Sequence, residues 1–126
     1  MKPLYAEVDD VEVMYCLFLN GQNKILSIDK MFSGSISSSA VYPREIIKKA
    51  IHLKATAMIM VHNHPSGDTT VSPEDKNVTR KVFAALSSID VKLHDHIIVG
   101  DGYFSMEEDS LIESMGNSFR QFSNMQ

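Results

Sequence analysis

The chain is expected to fold as an α/β domain, a mixed β-sheet flanked by helices, and three observations predict it. Apolar runs of strand length recur along the chain, Val13 to Leu19, Ala57 to Val61 and Val91 to Val99. Asn20-Gly21-Gln22-Asn23 is a strong turn between two such runs, so the chain opens with an antiparallel hairpin. Helix-start signals at Pro43 and at Ser72-Pro73 then interleave helices with later strands. The order strand-strand-helix-strand-helix-strand gives a sandwich of mixed strand direction with helices on the faces of its sheet.

Residues 1 to 11 are polar and acidic (Glu7, Asp9, Asp10), a short helix or a loose lead-in. Val13-Met14-Tyr15-Cys16-Leu17-Phe18-Leu19 is unbroken apolar sequence, which reads as a strand buried on both faces. Lys24 to Phe32 returns as the second strand, and a serine-rich loop, Ser33 to Ser39, is too brief to link domains. Pro43 starts a helix to about Lys54, with Ile46, Ile47, Ala50 and Ile51 on its inner face and Arg44, Lys48, Lys49 and His52 outside. A third strand spans Thr56 to His62, and a second helix runs from Pro73 to Ser88. Val91 to Val99 is the fourth strand, Asp101-Gly102 a turn, and Tyr103-Phe104-Ser105 a brief return strand. From Met106 onwards a helix around Leu111-Ile112 is expected to fray into polar sequence.

At 126 residues the chain has the length of one domain with a single core. Its 44% hydrophobic and 22% charged content is ordinary for a soluble protein, and a net charge of −4 gives no general attraction to nucleic acid. The one cysteine, Cys16, has no partner within the chain and is expected as a buried, reduced thiol, which fits a cytoplasmic location. Met1-Lys2-Pro3-Leu4-Tyr5 leads into acidic residues rather than into a signal peptide, and no apolar run reaches membrane-spanning length.

The chemistry concentrates in Val61-His62-Asn63-His64-Pro65-Ser66-Gly67-Asp68 and Ser72-Pro73-Glu74-Asp75. In an extended segment the two-residue spacing puts both imidazoles on one side. Ser72 then caps a helix with Pro73 at N1 and Asp75 at N3, a capping box with Asp in place of Glu. A lone His-x-His is a weak metal signal, and a capping box alone is only a helix start. Asp75, however, falls in register with Val78, Val82, Ala85 and Ile89, and a carboxylate heading a buried stripe is costly unless paired or bound to metal. Two nitrogens and a carboxylate oxygen suit zinc, with a fourth position for water. Asp68 reads as a turn former. By spacing alone, His94-Asp95-His96 competes for the same metal. The alternation Val91, Leu93, Asp95, Ile97, Val99 sets both of its histidines on the face opposite the larger apolar set, and Asp95 or His96 could instead orient a ligand imidazole. Zinc deaminases need Pro-Cys-x-x-Cys, which a single cysteine excludes, and the His-Glu-x-x-His helix is absent.

His62-x-His64-Pro65 with Ser72-x-x-Asp75 resembles the JAMM motif of MPN-type metalloproteases. The wider wording, His62 to Asp68, Asp95-His96-Ile97-Ile98-Val99-Gly100, Gly34-Ser35 and Val41-Tyr42-Pro43-Arg44-Glu45, resembles the bacterial RadC branch, the UPF0758 proteins, from about Glu12 to Ser105. The resemblance implies an MPN fold, similar in outline to the zinc deaminases, with residues 106–126 as a tail. It assigns one zinc to His62, His64 and Asp75, a general base to Glu12, with Glu7 as rival, and support of an oxyanion to Ser72. The implied activity is zinc-dependent hydrolysis of a peptide or isopeptide amide in a peptide or protein substrate. The rival reading is a metal-stabilised module acting with DNA-processing partners, whose support is Arg44, Lys48, Lys49, Lys54, Lys76, Arg80 and Lys81, charges that solvated helix faces also explain. Association with a membrane is not expected, and a homodimer is left open. The resemblance implies that longer relatives carry an amino-terminal helical segment, which is not expected within these 126 residues, whether the chain is a stand-alone member or a carboxyl-terminal domain.

Overall fold

The computed structural model describes residues 11–34 and 41–116. The described elements run β1 (Val13–Leu19), β2 (Ile25–Ser33), α1 (Pro43–Leu53), β3 (Ala57–Asn63), α2 (Pro73–Ser87), β4 (Lys92–Val99) and β5 (Tyr103–Ser105). A helical segment follows at 111–116. The expected lead-in, with Glu7, and the polar end of the tail lie outside the described residues, as does most of the serine-rich loop.

The five strands form one mixed sheet in the order β2-β1-β3-β4-β5. Only β3 and β4 are parallel; the other neighbours are antiparallel. The turn at Asn20 to Asn23 joins β1 to β2 as expected, with the Asn20 side chain accepting from the Gln22 and Lys24 amides. Parallel pairing of β3 with β4 demands a crossover, and α2 is that crossover. The carboxyl ends of β3 and β4 therefore meet the amino end of α2 at one edge of the molecule, the position where ligand sites of α/β folds collect.

β1 lies inside the sheet, between β2 and β3, which is why its apolar run is uninterrupted. Met14, Cys16 and Phe18 enter the main core with Met58 and Met60 of β3, Ile98 of β4, Ile46 and Ala50 of α1, and Val78, Val82 and Leu86 of α2. Val13 and Leu17 face the other way and pack with Val61 and Val99. α1 and α2 thus bear on one face of the sheet rather than one on each. Cys16 is fully buried, and desolvation, reinforced by the nearby Asp29 carboxylate, pushes its thiol pKa far up.

Two helix faces differ from expectation. Ile51 is 61% exposed, because the inner line of α1 runs through Ile46 and Ala50 towards Leu53. In α2 the buried stripe is Asp75, Val78, Thr79, Val82 and Leu86, with Ala85 and Ile89 only half-buried. The buried set is centred between the lines of Val78 and Thr79, which brings Leu86 inward and leaves Ala85 at its margin.

β4 carries a further correction. Met58 pairs with Leu93 and Ile59 with Asp95, so one extra residue of β4 sits between them as a bulge. The bulge resets the alternation at His94. His96 joins Leu93 and Ile98 on the core face, while Ile97 and Val99 turn to the opposite cluster. The two histidines therefore do not share the face opposite the larger apolar set. His96 is fully buried inside that set, and His94 reaches out to Asn23 of the first turn, 2.9 Å away.

Candidate metal centre

His62, His64 and Asp75 converge. One ligand-capable atom from each lies within 4.8 Å of the others. His62 is the penultimate residue of β3 and His64 follows its end, where the His64 amide donates to the Val99 carbonyl (2.8 Å) and prolongs the β3–β4 pairing. Asp75 arrives from the first turn of α2. The expected capping box is present: Asp75 N–H donates to Ser72 Oγ (3.0 Å) and Ser72 N–H donates to Asp75 Oδ2 (2.9 Å). One residue thus both completes the helix start and turns its carboxylate towards the two imidazoles.

The turn after β3 is stapled to the β4–β5 turn. Gly67 N–H donates to the His64 carbonyl, and the Gly67 carbonyl accepts from Asp101 N–H, each at 2.9 Å. A Cβ on Gly100 would collide with the backbone carbonyl of Gly67, so only glycine permits this approach. Asp68 behaves as a turn former: its carboxylate accepts from the Thr70 hydroxyl and amide, which hold its pKa below the ordinary range.

The Nε2 atoms of His62 and His64 lie 3.2 Å from Asp75 Oδ1 and Oδ2 respectively. His64 Nδ1 is 2.7 Å from the Asp68 carbonyl oxygen. A carbonyl can only accept, so the neutral His64 proton sits on Nδ1 and Nε2 presents a lone pair. His62 Nε2 is buried and makes no hydrogen bond of acceptable geometry, despite its closeness to Asp75. A buried polar atom without a partner is costly. Burial alone would raise the Asp75 carboxyl pKa, but the His62 imidazole and the Ser72 amide outweigh it and hold the group well below the usual carboxylate range. The lone pair of His64 Nε2 and the ionised Asp75 carboxylate share one small space with the buried His62 Nε2, and a cation among them would give all three a partner. The donor set of two nitrogens and an oxygen fits a divalent metal with room for a further ligand.

Behind the ligands lies a buried polar line. His62 Nδ1 is 2.7 Å from His96 Nε2, and His96 Nδ1 is 2.6 Å from Thr79 Oγ1, whose hydroxyl donates to the Asp75 carbonyl (2.6 Å). Desolvation, and then the nearby His62, drive the His96 pKa well below the usual histidine value. Of the two alternatives for contacting a ligand imidazole, His96 does so and Asp95 does not. Asp95 instead accepts from the His96 and Glu107 amides and the Ser105 hydroxyl, tying β4 to β5 and the turn beyond. His94, at the bulge, is no part of the cluster. Thr79 is a residue the sequence reading passed over, although its position four residues after Asp75 on the buried stripe was the available signal.

Glu12 immediately precedes β1. In the antiparallel register Met14 pairs with His62, so Glu12 lies two residues before that pair, at the end of β1 nearest the candidate ligands. Asn63, buried between the two histidines in sequence, fastens this segment: its Oδ1 accepts from Val13 N–H (2.7 Å) and its Nδ2 donates to the Val11 carbonyl (3.0 Å). The Glu12 carbonyl accepts from Gly34 N–H (2.8 Å). The backbone on both sides of Glu12 is therefore fixed to the strand that carries His62 and Asn63. Asn63 was visible in the motif, but its role was not, because alternation sends it to the opposite face from its neighbours.

Three of the basic side chains have partners within the chain. Lys48 lies 3.7 Å from Glu45, Lys49 3.8 Å from Asp29, and Lys81 donates to the Val41 carbonyl at 3.2 Å. Among the described residues no helix is long and apolar enough to cross a membrane.

Comparison with known proteins agrees with this geometry. The chain is 48% identical over 104 residues to a UPF0758 protein of Haemophilus ducreyi, covering 82% of this chain and 47% of that protein. It is 47% identical over 89 residues to the UPF0758 protein YfjY of Escherichia coli, covering 71% and 56%. A UPF0758 protein of Vibrio atlanticus is 45% identical over 91 residues, covering 72% and 41%. The chain thus spans about half the length of the curated relatives it matches. The family model described as a RadC-like JAB domain matches residues 1–111, nearly the whole chain and all of the metal-site residues, and the chain belongs to that family.

Proposed function

We propose that this domain is a zinc-dependent hydrolase that cleaves an amide bond, peptide or isopeptide, in a peptide or protein substrate. The observation that carries the reading is the convergence of His62, His64 and Asp75 around a buried, unpartnered His62 Nε2. Zinc held by these three residues would supply Lewis acidity, polarising a carbonyl and lowering the pKa of water to about 7.

The remaining steps fall to the chain's own groups. Glu12, on a backbone held by Asn63, accepts a proton from water and returns it to the departing amine. Ser72 can serve as cap and catalyst together. Its oxygen accepts from the Asp75 amide, which leaves its own proton to donate to a developing oxyanion.

The test is a cleavage screen of the zinc-loaded protein against peptide and isopeptide-linked libraries, read by mass spectrometry. Cleavage that disappears with a chelator, and in Glu12→Gln while zinc stays bound, is the expected result. Cleavage that survives Glu12→Gln removes Glu12 from the mechanism. No cleavage of any library member by the zinc-bound protein counts against hydrolysis.

A further inference from the structure

The line from His62 through His96 and Thr79 to Asp75 has a direction, and one atom sets it. The Asp75 carbonyl oxygen can only accept, so the single hydroxyl proton of Thr79 is committed to it at 2.6 Å. Were that proton turned to His96 instead, two oxygen acceptors would face each other with nothing between them. Thr79 Oγ1 must therefore accept from His96 Nδ1–H, at 2.6 Å. A neutral His96 then has a bare Nε2, and the 2.7 Å contact to His62 Nδ1 is a hydrogen bond only if His62 donates. His62 is left with its proton on Nδ1 and a lone pair on Nε2. The opposite arrangement has its own attraction, since Asp75 Oδ1 lies 3.2 Å from His62 Nε2 and would draw a proton there.

We infer that His96 and Thr79 are positioning residues that lock His62 in the Nδ1–H tautomer, so that its Nε2 is pre-set as a metal ligand. The inference rests on the metal reading of the site. All three side chains are fully buried, which excludes water as a substitute donor or acceptor and makes the line rigid. The line begins at one ligand, His62, and ends on the backbone of another, Asp75. The same two residues therefore fix the relative placement of strand β3 and helix α2 at the point where the metal must be gripped. Without Thr79 the His96 proton is free to move to Nε2. There it would face His62 Nδ1 and push the His62 proton onto the ligand nitrogen.

The experiment uses the full chain with zinc removed, at pH 8, and two readouts. Long-range nitrogen–proton NMR correlations report which ring nitrogen of His62 carries the proton. Chelator competition then measures affinity for zinc alone. Wild type is expected to show His62 protonated on Nδ1. Thr79→Val and His96→Leu should both shift the proton towards Nε2 and weaken zinc binding by about 10–100-fold, the usual scale for losing a partner behind a metal ligand. His96→Gln offers an amide oxygen near the original Nε2 and should recover most of the affinity. If His96→Leu does not fold, Thr79→Val, nearly the same shape as threonine, gives the decision. A wild-type His62 protonated on Nε2 overturns the inference, as does a folded Thr79→Val with unchanged tautomer and zinc affinity. A wild-type protein that binds no zinc would count against the proposed function, while the tautomer readout would still decide this inference.

Discussion

Replacing His96 with glutamine should remove a pH dependence of stability that the wild-type protein shows. His96 is completely buried, and its cation would have to give up water and face His62. Its folded-state pKa therefore lies well below the value of about 6.5 that it regains on unfolding. Between those two values the unfolded chain binds the proton and the folded chain does not. Stability is thus complete above pH about 6.5 and falls as pH drops below it, by about 1.4 kcal/mol per unit. From pH 8 to pH 5 the deficit can reach at most about 2 kcal/mol, the limit set by the 1.5 units below the unfolded pKa. Asp75 adds no slope there, because its depressed pKa keeps it ionised in the fold, and the unfolded carboxyl titrates only near pH 4. The assay is urea unfolding of the metal-free protein at half-unit pH steps, for wild type and His96→Gln. The wild-type curve should bend downwards below pH 6.5 and the His96→Gln curve should stay flatter, by up to about 2 kcal/mol at pH 5. Parallel curves would refute the claim that His96 is held neutral by burial.

Ser72→Ala removes the oxygen that accepts from Asp75 N–H and should cost about 1 kcal/mol, a Tm drop of about 4 °C for a chain of this size. Ser72→Asp retains the cap and should melt close to wild type. If the hydroxyl supports an oxyanion, both variants lose about a hundredfold or more in kcat with zinc still bound; an active Ser72→Asp would reduce Ser72 to a cap. Asn63→Ala withdraws one buried and one half-buried hydrogen bond flanking Glu12 and should cost about 2–3 kcal/mol in denaturant unfolding. It should also lower kcat while zinc content stays unchanged, and an unaltered kcat would show that Asn63 does not position the base.

Much of this arrangement was legible because local signals and tertiary demands agree. Asn20 to Asn23 carry the side-chain chemistry of a tight turn, Pro43 and Pro73 mark first helical turns, and the Ser72–Asp75 spacing is a capping box that the fold uses as written. The convergence of His62, His64 and Asp75 was legible for a related reason. His62 and His64 bracket the end of a strand, and an acid at the head of an apolar stripe needs a partner.

What stayed hidden depends on contacts distant in sequence. The bulge between Leu93 and Asp95 leaves no local mark, yet it breaks the two-residue period and sends His96 into the core while His94 turns out to Asn23. The choice of Leu86 over Ala85, and the exposure of Ile51, follow from how α1 and α2 lie on one face of the sheet, which helical periodicity alone does not fix. Thr79 and Asn63 read as unremarkable polar residues until the strand opposite supplies the atoms they bind.

The most direct test of the central claim is the metal content of the purified protein and three variants, measured by plasma mass spectrometry after zinc loading and desalting. The account predicts about one zinc per chain in wild type and in His94→Ala, and almost none in His62→Ala or Asp75→Ala, with all four proteins folded by circular dichroism. A zinc-free wild type, or a His94→Ala variant that is empty while His62→Ala remains full, would contradict it.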